Sequence, residues 1–409
     1  MILMEKEIRD INFFVGNLPI SEELLLNQSS NEIFSIESID FLSDISNNLL
    51  KRPEVRDYPD VATFAFYCRR ANINAIKKGY FTSSNFRIGR GIVFHITPGN
   101  VPVNFAYSLF VGLITGNINI VKVPSKNFEQ VDIILRSINE VLNTKNYKSI
   151  FSNRLFIVKY DRDNNATSYF SNLSDVRIIW GGDNTIKEIR KSPIPPKSTE
   201  VTFSDRYSIA VINASAYINL ENKRKLAQDF YNDTYLFDQN ACTSPQAIYW
   251  IGSEVDVKKA QHEFWNLLQM ILNEKKFELQ PVISIDKLTT FYSQAITYGD
   301  ISKENQQGND IWRINNSSTH LDIESHRCSS GYFNEFVIQS LDELIPIINR
   351  RYQTLSYFGI SKEQFKSWLS KSKPIGIDRF VPIGRTMDFS LVWDGFDLVN
   401  NLSRQVSII

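Results

Sequence analysis

The sequence predicts an α/β protein built on parallel, helix-covered sheet, and three adjacent stretches carry that prediction. Ile88 to Ile96 is a strand-like run rich in β-branched residues. Asn104 to Ile114 is an apolar stretch of helical length that Gly116-Asn117 terminates, and Ile118 to Val123 is a second strand-like run. Strand, helix and strand in this order make one βαβ unit, the crossover that parallel strands require. Pro98 to Pro102 forms the tight turn between the first strand and the helix, and Pro102 suits a first helical turn.

The alternation continues on both sides of this unit. Residues 1–79 read as mostly helical with polar breaks such as Asn27-Gln28-Ser29-Ser30-Asn31. Pro53 and Pro59 frame a linker, and Val61 to Ile76 has helical apolar spacing. Leu155 to Val158 and Val176 to Trp180 are strands, the second running into Gly181-Gly182-Asp183 and a helix from Asn184 to Lys191. Pro193, Pro195 and Pro196 mark a surface connection near a domain boundary. Ser208 to Ile212 is a strand, Glu221 to Tyr235 a helix, Ala247 to Ile251 a strand and Glu254 to Asn273 a helix. Val282 to Ile285 reads as extended, Leu341 to Arg351 as helical, and Arg404 to Ile409 as a short apolar strand able to pair with another subunit.

Bulk properties exclude several classes. The chain has 409 residues, enough for two or three domains, with 43% hydrophobic and 22% charged residues. Lys+Arg and Asp+Glu are equal at 45, so no global field draws it to nucleic acid or an anionic membrane. The most apolar stretch, Phe105 to Ile114, is far short of the ~20 residues of a membrane helix, and Met1 to Glu7 lacks a signal-peptide layout. Three cysteines without a C-x-x-C pair speak against a disulfide scaffold or structural zinc and for a reducing compartment. The expectation is a soluble cytoplasmic protein without a metal site.

The cysteines differ in setting. Cys68 lies on an apolar helical pattern, as a small core residue does. Cys328 sits in Ser325-His326-Arg327-Cys328-Ser329-Ser330-Gly331, where cationic neighbours favour a thiolate, and is the alternative nucleophile. Cys242 occupies a turn, Asp238-Gln239-Asn240-Ala241-Cys242-Thr243-Ser244-Pro245-Gln246, between a helix and a strand. A thiolate attacking a carbonyl creates an oxyanion, which the Cys242 backbone N–H and a carboxamide can hold. Asn100, in Thr97-Pro98-Gly99-Asn100-Val101-Pro102, offers such a carboxamide, although Asn before a helix is ordinarily an N-cap.

Lys122 ends a strand at the sheet's carboxyl edge, where open α/β sheets bind ligands; a solvated strand-end lysine is the plain alternative. Gly181-Gly182-Asp183 offers backbone N–H groups and a helix N-terminus to a phosphate. Gly89-Arg90-Gly91 precedes its strand and lacks the third glycine of a dinucleotide fingerprint. His95, His262, His320 and His326 show no metal-ligand spacing.

These stretches together resemble the acyl-CoA reductases of the bacterial luminescence fatty-acid reductase type, within the aldehyde dehydrogenase superfamily. The resemblance spans roughly residues 88–409. Besides the Asn100 and Cys242 stretches it includes Gly116-Asn117 with Lys122, Trp180-Gly181-Gly182, Tyr352-Gln353-Thr354-Leu355, Arg379 to Arg385, Trp393-Asp394-Gly395 and Leu402-Ser403-Arg404. It implies an aldehyde dehydrogenase-like fold in three parts. A helical region and Rossmann-like NAD(P)-binding domain cover 1–203, a catalytic cysteine domain 204–378, and a return segment with an oligomerisation strand 379–409. It also implies Cys242 as nucleophile, Asn100 as the side-chain half of the oxyanion hole, and cofactor contacts from Thr97, Pro98, Lys122, Ser125, Gly181, Gly182 and Asp183. Lys122 would meet the adenosine ribose and Gly181-Gly182 the pyrophosphate. The stretch between Ile76 and Ile88 is short for the superfamily's protruding oligomerisation hairpin.

Two details refine the implied chemistry. NAD-preferring relatives often carry a carboxylate three residues after the lysine; here Ser125 stands there, followed by Lys126, which favours NADPH. Hydrolytic relatives use a glutamate in the strand before the cysteine; here Phe203 falls at that position, with Glu200 nearby. Lack of that base suits an enzyme that keeps its acyl-thioester from water. The expectation is NADPH-dependent reduction of an acyl thioester to an aldehyde. The donor is an acyl-CoA or acyl-protein, with an acyl-protein synthetase as a possible partner and a homo-oligomer as the assembly. The competitors are oxidation of an aldehyde to an acid, and a catalytically silent acyl-carrying subunit.

Overall fold

The computed structural model describes residues 11–16, 25–80, 86–161, 165–304, 308–317 and 322–407. His320, the sequence start, part of the expected N-terminal helical region, part of the stretch between Ile76 and Ile88, and the last two tail residues lie outside the described residues. The chain forms two compact units, residues 1–204 with 396–409, and residues 205–395.

The first unit holds a six-stranded sheet. Its strands are β1 (Asn12–Val15), β3 (Ile92–Ile96), β4 (Ile118–Lys122), β5 (Leu155–Lys159), β6 (Val176–Trp180) and β7 (Thr199–Phe203), in the order β1-β5-β4-β3-β6-β7. All neighbours are parallel except β1, an antiparallel edge on β5. Strands covered by helices on both faces read as continuous apolar runs, and β3 and β6 are buried along their whole length. The crossover helix Asn104–Ile114 begins and ends where the sequence places it.

One polar chain threads this core. The Trp180 Nε1–H donates to Ser108 Oγ (3.0 Å), which lies 2.7 Å from His95 Nδ1, and His95 Nε2 lies 3.1 Å from Asn119 Oδ1. Gly112 leaves room for it: a Cβ there would sit 1.8 Å from Asn119 Oδ1 and 3.0 Å from His95 Nε2. The tail strand Ser403–Val406 pairs antiparallel with β2 (Phe86–Gly89) of the same chain, a partner the sequence did not indicate.

The main sheet of the second unit has seven strands in the order β10-β11-β12-β9-β8-β13-β14. They are β8 (Tyr207–Asn213), β9 (Pro245–Ile251), β10 (Ile301–Lys303), β11 (Trp312–Asn316), β12 (Tyr332–Ile338), β13 (Tyr352–Phe358) and β14 (Arg379–Pro382). Only β10 is antiparallel to its neighbour. One face packs Trp250, Phe264, Trp265 and Phe230; the other packs Tyr249, Phe336, Tyr352 and Leu355.

Several elements depart from the sequence reading. Ile88 to Ile96, expected as one strand, is split at Arg90-Gly91 into β2 and β3, which lie in different sheets, and Asn12–Val15, in the region expected to be mostly helical, is a strand. Val282 to Ile285, expected extended, opens an 18-residue helix, Pro281–Tyr298, with proline in its first turn. Leu341 to Arg351, expected helical, is a single 3₁₀ turn, Leu341–Leu344, closed by a capping box between Ser340 and Glu343 and followed by turns.

Candidate functional site

In the first unit the predicted residues gather at the carboxyl ends of β3, β4 and β6. Thr97 follows β3 and donates its hydroxyl to the Lys122 carbonyl at the end of β4 (2.6 Å), tying the two strand ends together. Pro98 is half-buried, whereas Gly99 and Asn100 are exposed. Asn100 is not the cap of the following helix: Val103 holds that position, without a side-chain cap bond. The plain explanation of Asn100 as an N-cap therefore does not apply.

The Lys122 ammonium lies 4.6 Å over the ring of buried Tyr160, a cation–π contact that fixes it at the strand end. Ser125 and Lys126 are exposed beyond it. Gly181 donates its N–H to the Phe203 carbonyl (3.1 Å), and Gly182 caps the helix Asp183–Ile189 through its backbone alone. Gly181, Gly182 and Asp183 are half-buried. The residues at this edge are a fixed cation, the Ser125 hydroxyl, and a helix start uncapped by side chains, which is donor chemistry that fits a phosphate-bearing nucleotide.

Glu200, the nearby candidate base, accepts from Arg177 Nε (2.8 Å) and Arg190 Nε (2.7 Å), so its carboxylate is held by two guanidiniums. Phe203 stacks on Trp180 at 3.7 Å between ring centres.

In the second unit the cysteine loop lies at the opposite kind of edge, the amino ends of the parallel strands. The helix Lys223–Thr234 ends in a 3₁₀ turn, Tyr235–Phe237; Asp238 and Gln239 then adopt left-handed backbone (φ 49° and 59°) that swings the chain toward β9. Buried Gln239 holds this reversal. Its Nε2 donates to the carbonyls of Pro245 (2.8 Å) and Tyr332 (3.1 Å), and its Oε1 accepts from the N–H groups of Gly331 (2.8 Å) and Tyr332 (3.2 Å). Gln246 donates to the Gln239 carbonyl, and Arg327 to the Asn240 carbonyl.

Cys242 is half-buried. Its carbonyl accepts from Ser208 Oγ (2.6 Å), and its Sγ lies 3.5 Å from Gln353 Nε2. Burial first, and then the Asp394 charge, push its thiol pKa up, against Gln353, Arg327 and Arg379, which pull it down. Asp394 accepts from Gln353 and pairs with Arg206 (3.4 Å); Arg379 stacks on Trp393 at 4.3 Å.

The other cysteines are less suited to attack. Cys68 is fully buried. Cys328 packs among Trp312, Ile314 and Tyr332, and burial raises its thiol, outweighing the cationic effect expected from sequence. Its neighbour Arg327 turns instead to the Asn240 and Arg206 carbonyls. The sequence named the stretches containing Gln239, Gln353 and Asp394 but assigned them no role.

The sequence pattern of the acyl-CoA reductase (LuxC) family matches residues 74–405. Similar proteins include the long-chain acyl-protein thioester reductase of Aliivibrio fischeri, 24% identical over 303 residues (72% of this chain, 58% of that one). The long-chain acyl-protein thioester reductase 2 of Photobacterium leiognathi is 26% identical over 270 residues (64% and 52%). The matched stretches span little more than half the length of these relatives. Among solved structures, lactaldehyde dehydrogenase from Escherichia coli superposes with TM-score 0.62 at 12% identity, over 94% of this chain and 87% of that one. Glyceraldehyde-3-phosphate dehydrogenase GapN from Methanocaldococcus jannaschii, complexed with NADP, gives 0.63 at 11% identity, over 95% and 91%. With four-fifths of its length inside the family pattern, the chain belongs to the acyl-CoA reductase (LuxC) family and has the aldehyde dehydrogenase-like fold.

Proposed function

We propose that this protein reduces an acyl thioester, carried on coenzyme A or on a protein, to the aldehyde with NADPH, through an acyl-enzyme on Cys242. The observation that carries the reading is the cysteine turn, in which a half-buried thiol is anchored by its own carbonyl and faced by an amide N–H. In the first step the Cys242 sulfur bonds to the acyl carbon, the bond to the leaving thiol breaks, and the proton of Cys242 ends on that thiol. The oxyanion formed on the way is held by the Cys242 backbone N–H and the Asn100 carboxamide.

The nicotinamide cofactor, when bound, supplies a hydride. Lys122, Ser125, Gly181, Gly182 and Asp183, with the Thr97-Pro98 turn, hold it in this reading. Ser125 in place of a carboxylate, with Lys126 next to it, admits a 2′-phosphate without like-charge repulsion. The second tetrahedral oxyanion, on Cys242, is held by the same two donors. Its collapse breaks the C–S bond and releases the aldehyde and the Cys242 thiolate, which regains its proton from solvent. Glu200 is committed to Arg177 and Arg190, which favours reduction over hydrolysis of the acyl-enzyme. Residues 1–203 are the cofactor domain, 204–378 the catalytic domain and 379–409 the return segment in this proposal. The protein acts in the cytoplasm as a homo-oligomer and accepts acyl groups from a synthetase partner. Among the described residues no helix is long and apolar enough to cross a membrane.

The test is NADPH consumption across acyl-CoA donors from short to long, with aldehyde trapping. Aldehyde formed in step with NADPH supports the reading. Acid formed from added aldehyde would instead support oxidation, and no turnover on any donor would support a silent acyl carrier.

A further inference from the structure

Gln353 is fully buried beside Cys242, on β13, and its amide nitrogen has two hydrogens to place. One is directed at Asp394 Oδ1 and the other at Cys242 Sγ, 3.5 Å away. An amide can rotate by half a turn and present oxygen instead of N–H, which would oppose a forming thiolate. Asp394 prevents this, because a carboxylate accepts and cannot donate. The Asp394 side chain is 1% exposed, and its charge is met by Arg206, which also pairs with Asp378 (3.2 Å). Asp394 itself adopts left-handed backbone (φ 49°), an uncommon conformation for a residue with a Cβ, immediately before Gly395.

We propose that Asp394, anchored by Arg206, fixes the Gln353 carboxamide with its N–H toward Cys242, so that Gln353 positions the attacking sulfur and stabilises it as the proton leaves. This rests on Cys242 being the nucleophile. Gln353 and Asp394 are positioning residues; neither exchanges a proton. The charged groups that act on the sulfur are Asp394, Arg327 and Arg379. Asp394 has two opposed effects: its charge disfavours the thiolate, and its grip on Gln353 favours it. Substitutions separate them. Gln353→Leu removes the N–H and keeps the volume. Gln353→Glu, nearly isosteric, offers oxygen in its place. Asp394→Asn removes the charge and keeps an oxygen that accepts from Gln353.

The experiment measures the rate of iodoacetamide alkylation of Cys242 as a function of pH, read on the Cys242 peptide by mass spectrometry in the full chain. Both Gln353 variants should move the midpoint upward by about one pH unit, a tenfold slower reaction below it. Asp394→Asn should move it downward. A purely structural role would leave the midpoint of a folded Gln353→Leu variant unchanged, whereas Gln353→Glu also adds a charge that raises the midpoint by itself. An unchanged midpoint in Gln353→Leu, or a downward shift in Gln353→Glu, would overturn the proposal, and Gln353→Met, neutral and without an N–H, decides the matter if the Leu variant does not fold. Alkylation needs no turnover, so the two readings part cleanly. Shifted midpoints without aldehyde formation would sink the function and keep this network, whereas turnover with unmoved midpoints would do the reverse.

Discussion

Replacing Gln239 with alanine tests how the cysteine turn is held. The side chain makes four hydrogen bonds to backbone groups of Gly331, Tyr332 and Pro245, and its surroundings are buried. Alanine leaves two N–H groups and two carbonyls without that partner. At about 1 kcal/mol for each lost bond the destabilisation is roughly 4 kcal/mol, a large share of the ~5–15 kcal/mol that folded domains possess. The left-handed backbone at Asp238 and Gln239 loses its restraint at the same time. Tryptophan fluorescence during urea unfolding is a suitable probe, since five of the six tryptophans lie in the unit of residues 205–395. The midpoint should fall sharply, and Cys242 should become more readily alkylated in the native protein. A loss below about 1 kcal/mol with unchanged alkylation would refute the assignment of Gln239 as the anchor, given the usual worth of such bonds.

Two further outcomes follow from the first unit. His95 is buried between Ser108 and Asn119, so Nε2 carries the proton that the Asn119 oxygen accepts, and burial lowers its pKa to about 4. The unfolded chain takes up a proton near pH 6.5 that the folded protein refuses until about 4. Stability from this group is therefore complete above pH 6.5 and lost as pH falls toward 4, by about 3 kcal/mol. Carbon-13 NMR of labelled histidine should show one ring that does not titrate above pH 5 and vanishes in His95→Gln; a midpoint near 6.5 for that ring would contradict this. Asn100→Ala should lower turnover by ~10²–10³ while leaving thermal stability unchanged, since one oxyanion donor is worth about that much and the exposed side chain caps no helix. A loss below tenfold in the reductase assay would remove Asn100 from the reaction.

The parts legible in the sequence were those where burial is symmetrical. β3, the helix Asn104–Ile114, β4 and β6 are mostly apolar and mostly buried, with His95, Ser108, Asn119 and Arg177 as buried polar exceptions, and their limits follow from Gly116-Asn117 and Gly181-Gly182. The helix Pro281–Tyr298 was misread because its polarity is inverted. Lys287 and Gln294 face inward, while Val282, Ile285 and Ile296 are exposed, so an apolar cluster at its start imitates a strand. Edge strands β1 and β7 carry short, mixed patterns that resemble loop. Of the proposed site, Cys242, Asn100 and Lys122 stand out in the sequence by their position in turns between helix and strand or at a strand end. Gln239, Gln353, Asp394 and Arg206 act through contacts made between distant stretches, with sequence separations up to 188, which no local pattern records. The rule that ligands gather at carboxyl ends of strands fits the proposed cofactor residues at β3, β4 and β6. It does not describe the cysteine turn, which sits before β9.

The most direct test of the whole account is to mix the protein with a long-chain acyl-CoA in the absence of NADPH and locate the adduct by mass spectrometry. The acyl group should be found on Cys242, be absent in Cys242→Ala, and leave as aldehyde when NADPH is added. An adduct on Cys328, or release of the chain as free acid on NADPH addition, would contradict it.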